Sequence, residues 1–305
     1  MPSPLLSRLG SSMQATSSRL GYHAYTIFLF TKSDIKTTLI PVGCFALGAA
    51  PLSPTNSLSH AVQAIFWLWL HLLHFNLANQ VHDPEEDMIN KPWRPIPTGR
   101  ITLAQATVLR YLAPFVCMAV SLLYSRAVFY AALIFAILVP IYHEAKGDSH
   151  WLSRNFMNAF GYACFSTGST LIASPNRAQL DVPGALSIFT ITAILATTIQ
   201  AQDFQDVIGD IKTGRLTLPI AFPNFSRYTP MVSLLLWVPY LTSVWEIGTV
   251  GTIAFTVLTI IVGLRYLLLR STKDDQLSYV WYNVWLAIAF SMPGYWRYYK
   301  ESAAL

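Results

Sequence analysis

Stretches of about twenty predominantly apolar residues recur along almost the whole of this 305-residue chain, and little else about it constrains the fold so strongly. A helix rises about 1.5 Å per residue, so ~20 residues cross the ~30 Å hydrocarbon layer of a bilayer. Inside lipid no water is at hand for backbone N–H and C=O groups, which leaves the helix or the closed barrel as solutions. Windows this long favour helices. Nine candidate spans can be placed, at about 35–53, 59–82, 102–124, 126–143, 155–174, 183–203, 227–246, 249–269 and 279–296. The breaks carry turn residues: Pro51 and Pro54, Pro92 to Gly99, Gly147, Pro175, Gly209 to Gly214, Pro223 and Gly248. Only 11% of residues are charged and the mean hydropathy is +0.43, whereas soluble domains carry about 25% charge. The predicted fold is all-α, a multi-pass transmembrane bundle of about nine helices, in one domain over residues 34–296.

Charge placement agrees with this count. With the N-terminus on the cytoplasmic side, fourteen Lys and Arg residues, among them Lys91, Arg94, Lys146, Arg154, Lys212 and Arg215, share that side. Arg126, Arg177, Arg297 and Lys300 fall on the other, as the positive-inside rule requires. Residues 1–33 contain no Asp or Glu but do contain Arg8, Arg19 and Lys32. Arginines are few for a transit peptide, so the segment reads as a basic tail with an interfacial helix around Tyr22 to Phe30. This places the protein in the endoplasmic reticulum, with the mitochondrial inner membrane as the alternative. Residues 297–305 read as a C-terminal tail.

The net charge of +5 fits contact with anionic headgroups. Nothing resembles a zinc-finger or RNA-binding signature, so lipid rather than nucleic acid is the expected partner. Cys44, Cys117 and Cys164 lie in apolar stretches without metal-ligand or redox spacing and read as small buried hydrophobes. The sequence does not reveal the oligomeric state.

Two acidic clusters stand out against this apolar background. The second span ends in Asn79-Gln-Val-His-Asp83-Pro-Glu-Glu-Asp87 and the sixth in Gln202-Asp203-Phe-Gln-Asp206-Val-Ile-Gly-Asp210. The spacings i, i+4, i+8 and i, i+3, i+7 each line up one helical face. Pro84 disfavours helix at Asp83, so a kink or stop is predicted there. Both clusters follow a long apolar run and fall on the same side of the membrane. Acids this close repel one another unless cations intervene. Mg2+ takes oxygen ligands and bridges a few carboxylates to phosphate oxygens. Asp83, Asp87, Asp203, Asp206 and Asp210 are therefore the predicted metal ligands. Asp83, Asp87, Asp203 and Asp206 carry the catalysis, and the chemistry is departure of a diphosphate whose apolar tail lies in the membrane interior.

A diphosphate also needs donors on its outer oxygens. Lys91, Arg94, Lys146, Arg154, Asn155, Lys212 and Arg215 flank the clusters. Arg94, Arg154 and Asn155, then Lys146, are assigned to diphosphate binding together with Asn79. Aromatic faces attract carbocations, and Trp67, Trp69, Phe75, Phe160, Tyr162, Phe204, Trp281, Tyr282 and Trp285 are the candidates near a cavity. His82 and Glu86, at i, i+4, lack the further histidines that a zinc site would need.

These residues resemble the UbiA superfamily of intramembrane prenyltransferases and related enzymes. Asn79, Asp83 and Asp87 match the Asn-x3-Asp-x3-Asp motif. Arg94-Pro-Ile-Pro-Thr-Gly99 is similar to the family's Arg-Pro-x3-Gly segment, and Arg154-Asn155 with Gly161 to its Lys-Asn segment. Asp203 to Asp210, followed by Gly214, Thr217, Leu218 and Pro219, resembles the second aspartate motif. The resemblance implies a helical bundle around a lipid-accessible cavity, with two Mg2+ on a prenyl diphosphate. Gln202 departs from the pattern, since many members carry Lys there. The run Asp83 to Pro97 resembles a fungal branch that includes terpene cyclases of cyathane-type diterpene and fumagillin-type sesquiterpene pathways. That implies a Mg2+-dependent cyclase which ionises farnesyl or geranylgeranyl diphosphate and closes the cation on its own alkenes. The alternative is a prenyltransferase passing the cation to an aromatic or other acceptor, with His74, Asn76 or Tyr162 as candidate acceptor contacts. A cation transporter would use paired acids as well, but it gives the adjacent basic residues no role.

Overall fold

The computed structural model of the chain describes residues 4–52 and 58–301, with side chains from residue 18 onward. Pro54, the first three residues of the predicted tail, the last residue of the first span and residues 302–305 lie outside that set. Each of the nine predicted spans is helical within the described residues. The bundle consists of α2 (Ile40–Ala49), α3 (Leu58–His82), α5 (Leu103–Leu122), α6 (Arg126–His143), α7 (Trp151–Ala173), α8 (Val182–Thr198), α11 (Thr229–Val244), α12 (Gly248–Leu268) and α13 (Thr272–Trp296). Helix α1 (Pro4–Thr31) precedes it, and the short helices α4 (Pro84–Asn90), α9 (Val207–Thr213) and α10 (Leu218–Ala221) sit in its connections. Among the described residues, five segments meet the length and apolarity of a membrane span unaided: Leu58–His82, Leu103–Leu122, Arg126–His143, Val182–Gln205 and Gly248–Leu268. The protein is a multi-pass integral membrane protein.

The boundaries move where polar chemistry overrides hydropathy. Helix α13 starts at Thr272, earlier than the apolar window does. Ser271 caps it, its Oγ accepting the Asp274 amide at 3.2 Å, and Asp274 and Asp275 lie in the first turn, where the helix dipole favours acids. Helix α1 is continuous from Pro4 and not a tail with a short helix. Its C-terminal end is tied to α3: Trp69 Nε1 donates to Thr31 Oγ1 at 3.2 Å and Gln80 Nε2 to the Phe30 carbonyl at 2.9 Å. Exposed Leu20, Tyr22, Tyr25 and Phe28 give it the apolar side of an interfacial helix. At the other end a π turn, Arg297–Glu301, continues α13. Arg297, read as the start of a tail, is buried and donates to Asp181 at 2.8 Å and to the Ala49 carbonyl at 2.6 Å.

The bundle has two halves. In one, α2, α3, α6 and α7 pack around Trp67, Phe135, Phe165 and Leu171. In the other, α8, α11, α12 and α13 pack around Ile191, Leu234, Tyr282, Trp285 and Phe290. Buried polar tips are satisfied within the core: Trp67 donates to Ser121 Oγ and Trp285 to Thr259 Oγ1, both at 2.8 Å. The halves are locked where α2 crosses α13 at Gly48 and Gly294. A Cβ on Gly48 would stand 3.1 Å from the Gly294 Cα. Small residues at such crossings let backbones approach when lipid supplies no hydrophobic drive.

Candidate active site

At the end of α3 the amide of Asp83 still donates to the Asn79 carbonyl at 3.2 Å, but Asp83 itself leaves helical geometry at φ −122°, ψ 60°. Pro84 enforces this and opens α4 at its first position. The chain therefore kinks, as predicted, and Asn79, Asp83 and Asp87 do not share one straight helical face. Asn79 stays half-buried on α3, while Asp87 turns inward and is buried. Arg94, in the following loop, donates Nη1 to Asp87 Oδ1 at 2.7 Å.

The second cluster is not a regular α-helical face either. Helix α8 gives way at Thr198 to a 3-10 helix, Ile199–Gln205, which carries Asp203, and Asp206 then leads into α9. With three residues per turn, Asp203 and Asp206 eclipse. Asp210 follows one α-turn later, its amide donating to the Asp206 carbonyl at 3.0 Å. The tighter winding is what keeps all three acids on one side. Arg154, from the first turn of α7, donates Nε to Asp203 Oδ1 at 3.2 Å and Nη1 to Tyr142 Oη at 2.9 Å. Asn155 donates to Gln200 Oε1 at 3.2 Å. The clusters meet where α4 packs on α9, and Gly209 lies so close to the Asn90 side chain that a Cβ there would collide with it.

Arg215, noted beside the second cluster in the sequence but not assigned to the site, connects everything. Gly214 ends α9 in the left-handed conformation, φ +71°, and the Arg215 amide donates to the Asp210 carbonyl at 2.9 Å. Its guanidinium pairs with Asp83, with Glu86 at 2.5 Å, with Asp148 at 3.0 Å and with Asp210 at 3.6 Å. Asp148 belongs to the α6–α7 loop, which is held against this segment by a backbone bridge: Leu216 N donates to the Ser149 carbonyl at 2.7 Å and Trp151 N to the Leu216 carbonyl at 2.8 Å. Lys146, in the same loop, is not brought into the cluster. It is exposed, at φ 57°, and Arg215 takes the central position instead. The Gly-Arg step just past the last aspartate was a usable signal for Arg215. No sequence pattern announced its partner Asp148.

Seven carboxylates (Asp83, Glu86, Asp87, Asp148, Asp203, Asp206, Asp210) thus meet four cations (Lys91, Arg94, Arg154, Arg215), which leaves three negative charges in excess. Burial pushes Asp83, Asp87 and Asp206 above the usual carboxylate range. Asp210 rises to about 7, through burial and the neighbouring Asp203 and Asp206, against the pull of Arg154 and Arg215. Burial works against the charge of Arg215, but Glu86, Asp148 and Asp83 outweigh it and hold the guanidinium more firmly protonated than usual. Asp87 Oδ2, Asp203 Oδ2 and both oxygens of Asp210 are buried with no hydrogen-bond donor. Orphaned carboxylate oxygens of this kind suit a hard divalent cation. Among the described residues, no three His, Cys, Asp or Glu side chains converge by themselves into a metal-binding group.

Below this cluster lie two connected spaces. A mouth is lined by Asn90, Lys91, Trp93, Gln205 and Asp206. An inner cavity of about 120 Å³ is lined by Phe75, Phe135, Tyr142, Tyr162, Phe165 and Tyr279 with Leu72, Leu138 and Val139. Asp34, Thr37, Gln202 and Tyr279 border both. Of the aromatics expected near a cavity, Phe75 and Tyr162 reach it. Trp67 packs over Gly168, Trp285 and Tyr282 fill the core between α12 and α13, Phe204 stacks near Tyr266, and Trp69 is tied to α1. Phe160 lines a separate outer groove, and Trp281 is partly exposed. Asn76 and Tyr162 line the cavity as well, whereas His74 does not.

Comparison with known proteins places the whole chain. Fumagillin beta-trans-bergamotene synthase of Aspergillus fumigatus is 33% identical over 269 residues, covering 88% of this chain and 91% of the relative. A polyprenyl transferase of Hericium erinaceus is 30% identical over 84% of this chain and 89% of its own length. A UbiA homolog from Archaeoglobus fulgidus, solved bound to GPP and Mg2+, superposes with a TM-score of 0.62 over 88% of this chain and 99% of its own, at 16% identity, and shares the fold. Residues 38–293 match the model of the UbiA prenyltransferase family, and with the two acidic motifs closing one end of this helical bundle the chain belongs to that family.

Proposed function

We propose that the chain is a terpene cyclase, its catalytic unit residues 34–296, which ionises farnesyl or geranylgeranyl diphosphate and closes the resulting cation on its own alkenes, in terpenoid secondary metabolism at the endoplasmic reticulum. The observation that carries this reading is the inner cavity, walled by aromatic rings and reached through the acid-lined mouth. The synthase name of the Aspergillus relative, which covers nearly the whole chain, supports the same outcome.

Asp83, Asp87, Asp203, Asp206 and Asp210 would hold Mg2+, with Asn79 assisting. Bound there, the metal would neutralise the diphosphate and make it a better leaving group. Arg94, Arg154 and Asn155 would orient the outer phosphate oxygens, with Arg215 joining them once released from its carboxylates; Lys146 would have to swing in from the α6–α7 loop to add to them. The aromatic walls would exclude water and present π faces to the cation.

The test is incubation of membranes carrying the protein with each linear diphosphate and Mg2+, with no acceptor, followed by gas chromatography of the extracted lipids. A cyclic hydrocarbon is expected. A second reading rests on the polar groups in the cavity: Asn76 donates to Asp34 at 2.9 Å, and Thr38 and Tyr162 share a hydrogen bond of 2.9 Å. Such groups could hold an acceptor, as in a prenyltransferase. Prenylation of an added aromatic acid, with no hydrocarbon in its absence, would decide for it.

A further inference from the structure

Asp34, Thr37, Gln202 and Tyr279 form the neck between mouth and cavity, and one of the four is an acid. Asp34 lies where helical winding changes twice. The 3-10 turn Lys32–Asp34 ends there, at φ −102°, ψ 3°, and the π turn Ile35–Leu39 begins. π turns are rare and concentrate at functional sites, and the φ, ψ of Asp34 falls in the sparsely populated bridge region. The altered winding places Asp34, Thr37 and Thr38 together on the cavity wall. The carboxylate Oδ2 accepts a hydrogen bond from the buried, neutral amide of Asn76 at 2.9 Å. Lys36 and Lys91 also line the mouth, but among the described residues no Lys or Arg pairs with Asp34, and Gln202, which borders both spaces with it, is neutral. An acid at the boundary of a membrane bundle, half-buried and held by a neutral amide without an ion-pair partner, points to function.

We propose that Asp34 is the base that ends the reaction. The inference rests on the cyclase reading. After the C–O bond to diphosphate has broken and the chain has closed on its alkenes, the Asp34 carboxylate takes a proton from a carbon adjacent to the cationic centre. The electron pair of that C–H bond becomes the new C=C bond and neutralises the cation. Asp34, now a carboxylic acid, returns its proton to water or pyrophosphate as the hydrocarbon leaves. Asn76 is a positioning residue that fixes the carboxylate at the neck, beside the place where the cation is formed.

The test compares wild type, Asp34→Asn, Asp34→Glu and Gln202→Lys in lipid vesicles with farnesyl or geranylgeranyl diphosphate and Mg2+. Released pyrophosphate and extracted products are measured separately. In Asp34→Asn, pyrophosphate release should continue while the wild-type hydrocarbon falls about 100-fold relative to it, the scale of a lost general base. Isomeric alkenes or water-trapped alcohols should take its place. Asp34→Glu should restore part of the hydrocarbon, and Gln202→Lys, which adds an ammonium to the same neck, should shift products as Asp34→Asn does. An unchanged ratio of wild-type hydrocarbon to pyrophosphate in Asp34→Asn overturns the proposal. So does a proportional loss of both that Asp34→Glu does not relieve, which is the mark of a structural role. If wild type yields no hydrocarbon but prenylates an added acceptor, the cyclase reading itself fails and this role falls with it. That outcome is visible before any variant is made.

Discussion

Replacing Arg215 with methionine keeps the length and most of the volume of the side chain but removes the charge that four carboxylates share. Asp83, Glu86, Asp148 and Asp210 would then face one another with no intervening cation, and Arg215 is only 9% exposed. Removing one partner of a buried ion pair costs about 3–5 kcal/mol, because the remaining charge is stranded. For a chain of this size that corresponds to a melting-temperature loss on the order of 10 °C. Protonation limits the damage. Asp210, with its pKa already raised to about 7, is largely neutral at pH 6 and largely charged at pH 8, so the loss should be smaller at pH 6. Mg2+ should recover more stability in the variant than in wild type, since it supplies the missing positive charge. The assay is thermal unfolding of detergent-solubilised protein in EDTA and in Mg2+ at both pH values. Equal melting temperatures in EDTA, or a loss independent of pH, would refute the view that Arg215 neutralises the acids in the metal-free protein.

Other consequences can be measured directly. Between about pH 4 and 7 the folded, metal-free protein holds a proton on Asp210 that the unfolded chain has released, so stability should fall as pH rises through that window. Mg2+ should displace that proton, so its affinity should climb by up to ~10-fold per pH unit below pH 7 and level off above it, as titration calorimetry in buffers of different ionisation enthalpy would show. Gly209→Val should push α9 away from Asn90 and abolish pyrophosphate release while the membrane helices keep their circular dichroism; full activity would contradict the packing of the two motifs. Phe135→Ala should destabilise by about 3–5 kcal/mol and change the product pattern more than the affinity for diphosphate, because Phe135 is buried in the cavity wall and stacks near Phe165 at 4.6 Å. An unaltered product pattern would remove Phe135 from the cavity surface.

The spans were legible because long apolar windows have few alternatives, and the clustering of Asp83, Asp87, Asp203, Asp206 and Asp210 at one end of the bundle because acids beside such windows are costly without a purpose. Their local geometry was less so. Pro84 announced a kink, but nothing in Ile199–Gln205 announced a 3-10 helix, and that winding is what aligns Asp203 with Asp206. Arg215 was missed for a reason of distance: its partners lie 132 residues away at Asp83 and 67 away at Asp148, beyond any local pattern. The aromatics show a third limit. Membrane helices can be apolar on every side, so periodicity separates lipid-facing from cavity-facing positions poorly. Trp67 and Phe135 look alike in sequence, yet one covers Gly168 and the other lines the cavity.

The placement of Arg215 also bears on the order in which ligands arrive. Drawn off its carboxylates by an incoming cation, the guanidinium needs another anion within reach, and a diphosphate entering the same mouth is one. Metal and substrate would then each ease the entry of the other, and by reciprocity to the same degree. Divalent ions alone would compete with a well-paired arginine and bind weakly. An enzyme built this way could complete its folding in the membrane before either ligand is present, and it would assemble its ionising centre only when a substrate is there to be ionised.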